Sequence, residues 1–365
     1  MWADPEVPYQ DLPPLPPSSE VETPRVLKAA IAASRSLAAL DAACRRLPDP
    51  SMLINTVPLL EAQASSEIEN IVTTNDEVFR AAHGALSQPE TPAVKEALRY
   101  REALRQGYDS LSERPLSVTT ATIVCTSLRG VEARVRDYTG TYIGDPASSR
   151  RIYTPPQGAE VIRQHLSAWE AFLHGSHGID PLVAMALQHY QFEAIHPFPD
   201  GNGRTGRVLN LLYLVDKGLL ATPVLYLSGY ILRHKSRYYH CLQGVTEAGA
   251  WEEWIVYMME AVDATATWAL RLIEAISELQ AGTEEQVRRL VPRAPAAELT
   301  RLLFTQPYIR IEDVVRAGYA KRQAASHWLG ALVEGEVLIR ERIGRSSIFV
   351  NDGLLSLLFT SPPVA

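Results

Sequence analysis

Apolar residues recur at helical spacing along most of this chain, and one central stretch departs from that rhythm. From Pro24 to Leu47 an alanine-rich, amphipathic pattern predicts a helix. A helix and a following turn are expected over 56–82, with further helices over 91–110 and 116–129. Residues 138–157 break the pattern. There Gly140, Gly144 and three prolines lie among β-formers such as Tyr142, Ile143, Ile152 and Tyr153, which predicts a β-hairpin. Asp180-Pro181 then supplies a cap and a first-turn proline for a helix over 181–194. Helices over 204–217, 228–247 and 251–282 follow, the first of them apolar from Val208 to Val215 and so read as buried.

The two ends differ from this middle. The first twenty residues read as an extended arm, because Pro13-Pro14 and Pro16-Pro17 resist helix. After a polar, proline-broken stretch near Gly282–Pro295, short helices are expected at 296–305, 311–317 and from Lys321 to Glu334. Two strand-like runs, Val337–Arg342 and Ser346–Val350, flank Gly344-Arg345 as a wing. Three short helices and a hairpin make a winged helix-turn-helix at about 295–358. Between Arg293 and Leu358 there are nine Lys or Arg and seven acids, a difference of only +2. That is a weak footprint for DNA, although Lys321-Arg322-Gln323 at the start of the third helix would meet a groove. A protein-docking or dimerising module is the preferred reading.

Composition narrows the class without naming it. A chain of 365 residues, 46% hydrophobic and 21% charged, is long enough for two or three globular domains. A net charge of −7 argues against a broad nucleic-acid surface. Cys44, Cys125 and Cys241 are far apart and form neither a disulfide framework nor a zinc site, which fits a reducing cytoplasm. The acidic, proline-rich start lacks the apolar core of a signal peptide, and no apolar run approaches a membrane span.

The chemistry concentrates in one run, His196-Pro197-Phe198-Pro199-Asp200-Gly201-Asn202-Gly203-Arg204-Thr205-Gly206-Arg207. A histidine titrates near neutrality and can take a proton from a hydroxyl nucleophile. Asp200 offers hard oxygen ligands suited to a phosphate-bound Mg²⁺. Gly201 and Gly203 let the backbone approach an anion, and their amides with that of Asn202 suit a phosphate nest. A helix N-terminus behind the nest adds positive potential. Arg204 and Arg207, three apart, add two planar donors to the first turn. Phe198 is expected to anchor the loop in the core. Such a set suits a nucleotide triphosphate from which one part is moved.

At these residues the chain resembles the Fic family, whose pattern is H-x-F-x-D/E-G-N-G-R-x-x-R. The fixed positions are met by His196, Phe198, Asp200, Gly201, Asn202, Gly203, Arg204 and Arg207. Leu225–Ile231 with His234-Lys235 and Tyr238-Tyr239, Trp251–Ile255, and Ile152–Pro156 also look like family segments, so the resemblance covers about Leu12 to Leu357. It implies a mainly α, Fic-fold helical core with a β-hairpin flap, followed by the winged helix. The organisation expected is an arm and helical region at 1–110, a catalytic domain at 111–282 and the winged module at 295–358. Most members attach the AMP part of ATP to a Ser, Thr or Tyr hydroxyl of a protein. Carried over, His196 is the base, Asp200 holds Mg²⁺, residues 201–203 cradle phosphates, and Arg204 and Arg207 grip the outer ones. Tyr239 is placed near the adenine, and Ile152 and Tyr153 on a flap edge that aligns the target by backbone pairing.

Ser65-Ser66-Glu67-Ile68-Glu69-Asn70 resembles the family's inhibitory pattern S/T-x-x-x-E-G/N. The resemblance implies that Glu69 competes with a phosphate for Arg207 and so holds the enzyme off. It leaves open removal of AMP from a protein, transfer of another nucleotide, or a DNA-binding regulator whose Fic domain senses nucleotide. ATP and a protein acceptor are the implied partners. A homodimer is among them, though no residue fixes it.

Overall fold

The computed structural model describes residues 2, 4–47, 51–86, 88, 90–144, 150–343 and 346–360. The expected wing tip Gly344-Arg345, the flap tip at 145–149 and residues 1 and 3 of the arm lie outside it. Helix starts follow local chemistry. Thr23 caps α1 (Pro24–Arg46), whose Val26, Ala30, Ala33, Leu37 and Leu40 turn one apolar stripe inward. The stretch 56–82, expected as a helix and a following turn, holds parts of two helices: α2 (Ser51–Ile68), then α3 (Asn75–Ala82) behind a Thr74/Glu77 capping box. Glu69 therefore stands just beyond the end of α2 and not on a helix. Next come α4 (Pro92–Ser110) and α5 (Val118–Arg129), the latter stopped by Gly130 in the left-handed region.

The hairpin is short. Strands β1 (Ile143–Gly144) and β2 (Arg151–Tyr153) pair antiparallel, with Ile143 opposite Tyr153. Helix α6 (Ala159–His174) was not foreseen, although Ile162, Leu166, Trp169 and Leu173 mark its buried face. Asp180 caps α7 (Pro181–Ile195), which is buried on every side and packs against α8 (Asn202–Asp216). Two of its polar side chains find partners inside: Gln188 donates to Asn210 Oδ1 (2.8 Å), and the His189 ring meets Tyr238 OH (2.9 Å). The helix expected over 228–247 breaks at His234 into α9 (Leu227–Arg233) and α10 (Lys235–Ala248).

Helix α11 (Trp251–Leu290) runs through Gly282, where a break was expected, and α1 lies along it. Beyond it come α12 (Ala296–Thr305), β3 (Tyr308–Ile309), α13 (Ile311–Arg316), α14 (Arg322–Glu334), β4 (Ile339–Ile343), β5 (Ser346–Val350) and α15 (Asp352–Leu358). The sheet order is β3-β5-β4, all antiparallel, so a third short strand joins the two foreseen. This winged module is strapped to α3. Arg80 donates to both Glu341 oxygens (2.6 and 3.0 Å), and Tyr308 OH to Asp76 (2.8 Å). No helix among the described residues is long and apolar enough to cross a membrane.

Candidate functional site

The site forms where α7 ends and α8 begins. His196 closes α7 in the left-handed region (φ 49°, ψ 58°), its N–H bonded to Phe192 O at 3.0 Å. Such a backbone is uncommon for a residue with a Cβ, and histidine is among those that tolerate it. A buried guanidinium holds it there. Arg136 Nε donates to His196 O (2.7 Å), and Nη2 to Ile195 O (3.1 Å) and Pro156 O (2.6 Å). One side chain thus satisfies the open end of α7 and ties it to the segment after β2. Tyr153 OH adds a bond to Ala194 O at 2.8 Å.

The imidazole is half-buried, and its Nδ1 is shut from solvent with no hydrogen-bond partner among the described residues. Burial, with Arg136 as the next cause, lowers its pKa to about 4. At neutral pH the ring is uncharged and can accept a proton.

The following loop is locked by Asn202, whose Oδ1 accepts from Phe198 N (2.8 Å) while Nδ2 donates to Phe198 O (2.7 Å). Its side chain is therefore spent on the loop, and only its amide faces a ligand. Phe198 is fully buried, as an anchor should be. Gly201 takes φ 82°, and its N–H is bound by Asp200 Oδ1 at 2.7 Å, so this amide does not belong to the nest. The first bond inside α8 runs from Thr205 N to Gly201 O. The amides of Asn202, Gly203 and Arg204 precede it and form the open, partly positive helix end.

Two arginines stand behind those amides. Arg204 is buried, 3.5 Å from Glu96 and 3.9 Å from Asp200, and its Nε and Nη1 have no hydrogen-bond acceptor among the described residues. Arg207 is engaged at two of its three guanidinium nitrogens. Its Nε donates to Ser65 Oγ (2.8 Å), and Nη2 to Ser65 O (3.0 Å) and Glu69 Oε1 (2.7 Å). Burial opposes the charged form of Glu69, but Arg207 outweighs it and holds the carboxyl below its usual range. Gly203 makes room for the pair, since a Cβ there would overlap Glu69 Oε1. Asp200 faces outward, its side chain 69% exposed. One exposed carboxylate suits a hard cation that takes its other ligands from phosphate and water.

The remaining candidates divide. Tyr239, on α10, is exposed, and the charges of Glu69 and Arg207 reach its hydroxyl. Ile152 is half-buried on β2. The Tyr153 side chain is buried and committed to Ala194, so it offers a docking partner no free ring. Three acids and bases were missed. Arg136 lies in a stretch without periodicity and left no signal. Glu193, half-buried with its Oε1 shut from solvent and without a hydrogen bond, is pushed up to about 7 by desolvation, with Arg207 opposing. Its place three residues before His196, on the same helical face, would have shown it. Glu61 accepts from Ser228 N (2.8 Å), Ser228 Oγ (2.5 Å) and Tyr100 OH (3.2 Å), and burial raises it to about 7. Glu61, Ser65 and Glu69 recur every four residues, the first two on α2 and the third just past its end.

Comparison with known proteins gives consistent matches. Residues 27–109 match the Fic/DOC family N-terminal model and residues 121–214 the Fic/DOC family model. Residues 279–354 match the C-terminal domain of SoFic-like protein adenylyltransferases. The probable protein adenylyltransferase aq_aa38 of Aquifex aeolicus is 41% identical over 66 residues, 18% of this chain and 20% of the relative. Protein adenylyltransferase Fic of Drosophila virilis is 35% identical over 92 residues, 25% of this chain and 18% of the relative. The chain thus matches a fifth or less of these curated relatives' length. Among solved structures, a Fic family protein from Desulfovibrio desulfuricans G20 aligns with a TM-score of 0.57 at 20% identity, over 93% of this chain and 98% of that one. Fic-1 (aa134 - 508) from C. elegans aligns at 0.53 and 21% identity, over 68% and 74%.

Proposed function

The chain belongs to the Fic/DOC family, and on that premise we propose that it is a protein adenylyltransferase, moving AMP from ATP to a Ser, Thr or Tyr hydroxyl and restrained by Glu69. One observation carries the reading: an uncharged imidazole at the end of α7 stands beside the open amides and two guanidinium groups at the start of α8. The imidazole takes the proton as the acceptor oxygen attacks the α-phosphorus, and pyrophosphate leaves. Proton transfer by a placed base contributes about 10²–10⁴-fold. The amides of residues 202–204 hold the phosphate oxygens. Arg204, whose Nε and Nη1 make no hydrogen bond, and the fork of Arg207 fix the outer phosphates in line. Magnesium, held through Asp200, would neutralise charge on the phosphates. Tyr239 borders the nucleotide, and Ile152 lies on the strand along which the acceptor aligns.

The regulatory step follows from geometry. Nε and Nη2 of Arg207 are held by Ser65 and Glu69, so a terminal phosphate that is to take the Nη2 side of the fork must displace Glu69. Mass spectrometry of the Glu69→Gly chain after incubation with ATP and Mg²⁺ tests the reading. A gain of one AMP supports it, and an unmodified mass on the chain and on every added protein acceptor defeats it. In the same background Arg207→Ala should raise the KM for ATP by about 10-fold or more, the worth of charge-assisted hydrogen bonds. Unchanged nucleotide kinetics would remove Arg207 from the phosphate site.

A further inference from the structure

The winged module is fastened to α3, the helix that follows Glu69, by one hydrogen-bonded network. Tyr308 OH donates to Asp76 Oδ1 (2.8 Å), and Asp76 Oδ2 accepts from Arg80 Nε (2.6 Å). Arg80 Nη1 and Nη2 then donate to the two Glu341 oxygens (2.6 and 3.0 Å). The Arg80 guanidinium also lies over the Tyr308 ring, 5.1 Å from its centre. The network thus runs from β3 through α3 to β4. Clefts of about 440 and 370 Å³ flank it, the first lined by His83, Arg310 and Glu312, the second by Glu77, Gln88 and Arg342. A polar strap bordered by clefts opens more readily than a packed core.

From α3 back to Glu69 the chain is tied at both ends. Thr74 N and Thr73 Oγ1 both donate to Glu77 Oε2 (3.0 and 2.9 Å). Gln63, on α2, donates to Thr73 O (2.8 Å) and to Glu67 (2.7 Å). Asn70 ends the α2 turn at φ 63°, its Oδ1 accepting from Lys235 Nζ (3.1 Å), and Ile71 N donates to Ser66 O (3.1 Å). A shift of α3 is therefore passed to Glu69 through these bonds and is not absorbed by a loose loop. We infer that the winged module anchors the restraint: holding α3 through Arg80–Glu341 and Asp76–Tyr308 keeps Glu69 seated on Arg207, and parting that strap frees it. The effect on AMP transfer rests on the function proposed above, whereas the mechanical tie does not.

The test uses the full chain with Tyr308→Phe/Glu341→Ala, two changes far in sequence from the motif and from Glu69. Hydrogen exchange followed by mass spectrometry should show the amides of residues 69–74 exchanging at least threefold faster than in the parent. Unchanged exchange in α7 is the control for folding. AMP transfer should rise at least threefold when Glu69 is present and stay unchanged in a Glu69→Gly background. The milder Glu341→Gln, which keeps the side-chain shape, should lie between parent and double variant. Unaltered exchange at 69–74 overturns the proposal. So does a rise of equal size in both backgrounds, or no rise where Glu69→Gly itself raises transfer. If Glu69→Gly transfers no AMP while exchange at 69–74 still quickens, the catalytic reading fails and the tie between wing and Glu69 stands.

Discussion

Replacing His196 by alanine in a Glu69→Gly background is expected to lower AMP transfer by about 10²–10⁴-fold while Mg–ATP still binds. The expectation rests on where the ring sits. Its neighbours keep it uncharged, with a pKa near 4, so it is ready to take a proton across the neutral range. The rate should therefore hold steady from pH 8 to 6 as far as this group is concerned, and fall only as pH approaches 4. Because the residue closes α7 with a positive φ, alanine adds a small backbone penalty of its own. His196→Asn, which tolerates that conformation, separates the two effects. Both variants should lose transfer, measured with α-labelled ATP, and both should retain nucleotide affinity. Robust labelling by either one would show that another group takes the proton.

Glu69→Gly should act in the opposite direction, raising initial transfer by about 10-fold or more, in keeping with the worth of one charge-assisted contact. It should also cost stability. The change leaves the Arg207 guanidinium, 1% exposed, without its carboxylate. Breaking a buried pair costs about 3–5 kcal/mol, and the 34% exposure of Glu69 places this one below that range. Mg–ATP should then raise the melting temperature of the variant more than that of the parent, because the triphosphate replaces the missing charge. A rate no higher than the parent's would remove Glu69 from control. The carboxyl is held below its ordinary range, so its contribution is present above the unfolded value and disappears only as pH falls through the lowered one. A drift around neutrality does not release it.

Much of the fold was written in local pattern. Caps such as Thr23, Thr74 and Asp180 stand where the helices begin. The losses have physical causes. The stripe of α6 was legible at Ile162, Leu166, Trp169 and Leu173 and was passed over. The break at His234 leaves the helical rhythm intact on both sides, so periodicity does not report it. Gly282 misled because one glycine costs a helix only about 1 kcal/mol, which the long packed α11 absorbs. Within the site, residues contiguous in sequence were visible and those assembled by the fold were not. Arg136 reaches His196 across sixty residues of chain, and nothing in its neighbourhood announces it. The Asn202 side chain shows the converse. Sequence offered its backbone amide to phosphate and was silent on the side chain, which folding spends on Phe198.

Helix α7 meets protein on all its faces, and that has a bearing on timing. Its amide hydrogens are expected to exchange only through large-scale opening, which places the imidazole at the end of a strongly protected element. Glu69 sits at the other extreme, past a helix end and partly in water. On the proposed function, the restraint is therefore a removable plug at the periphery, and the base sits on a fixed mount.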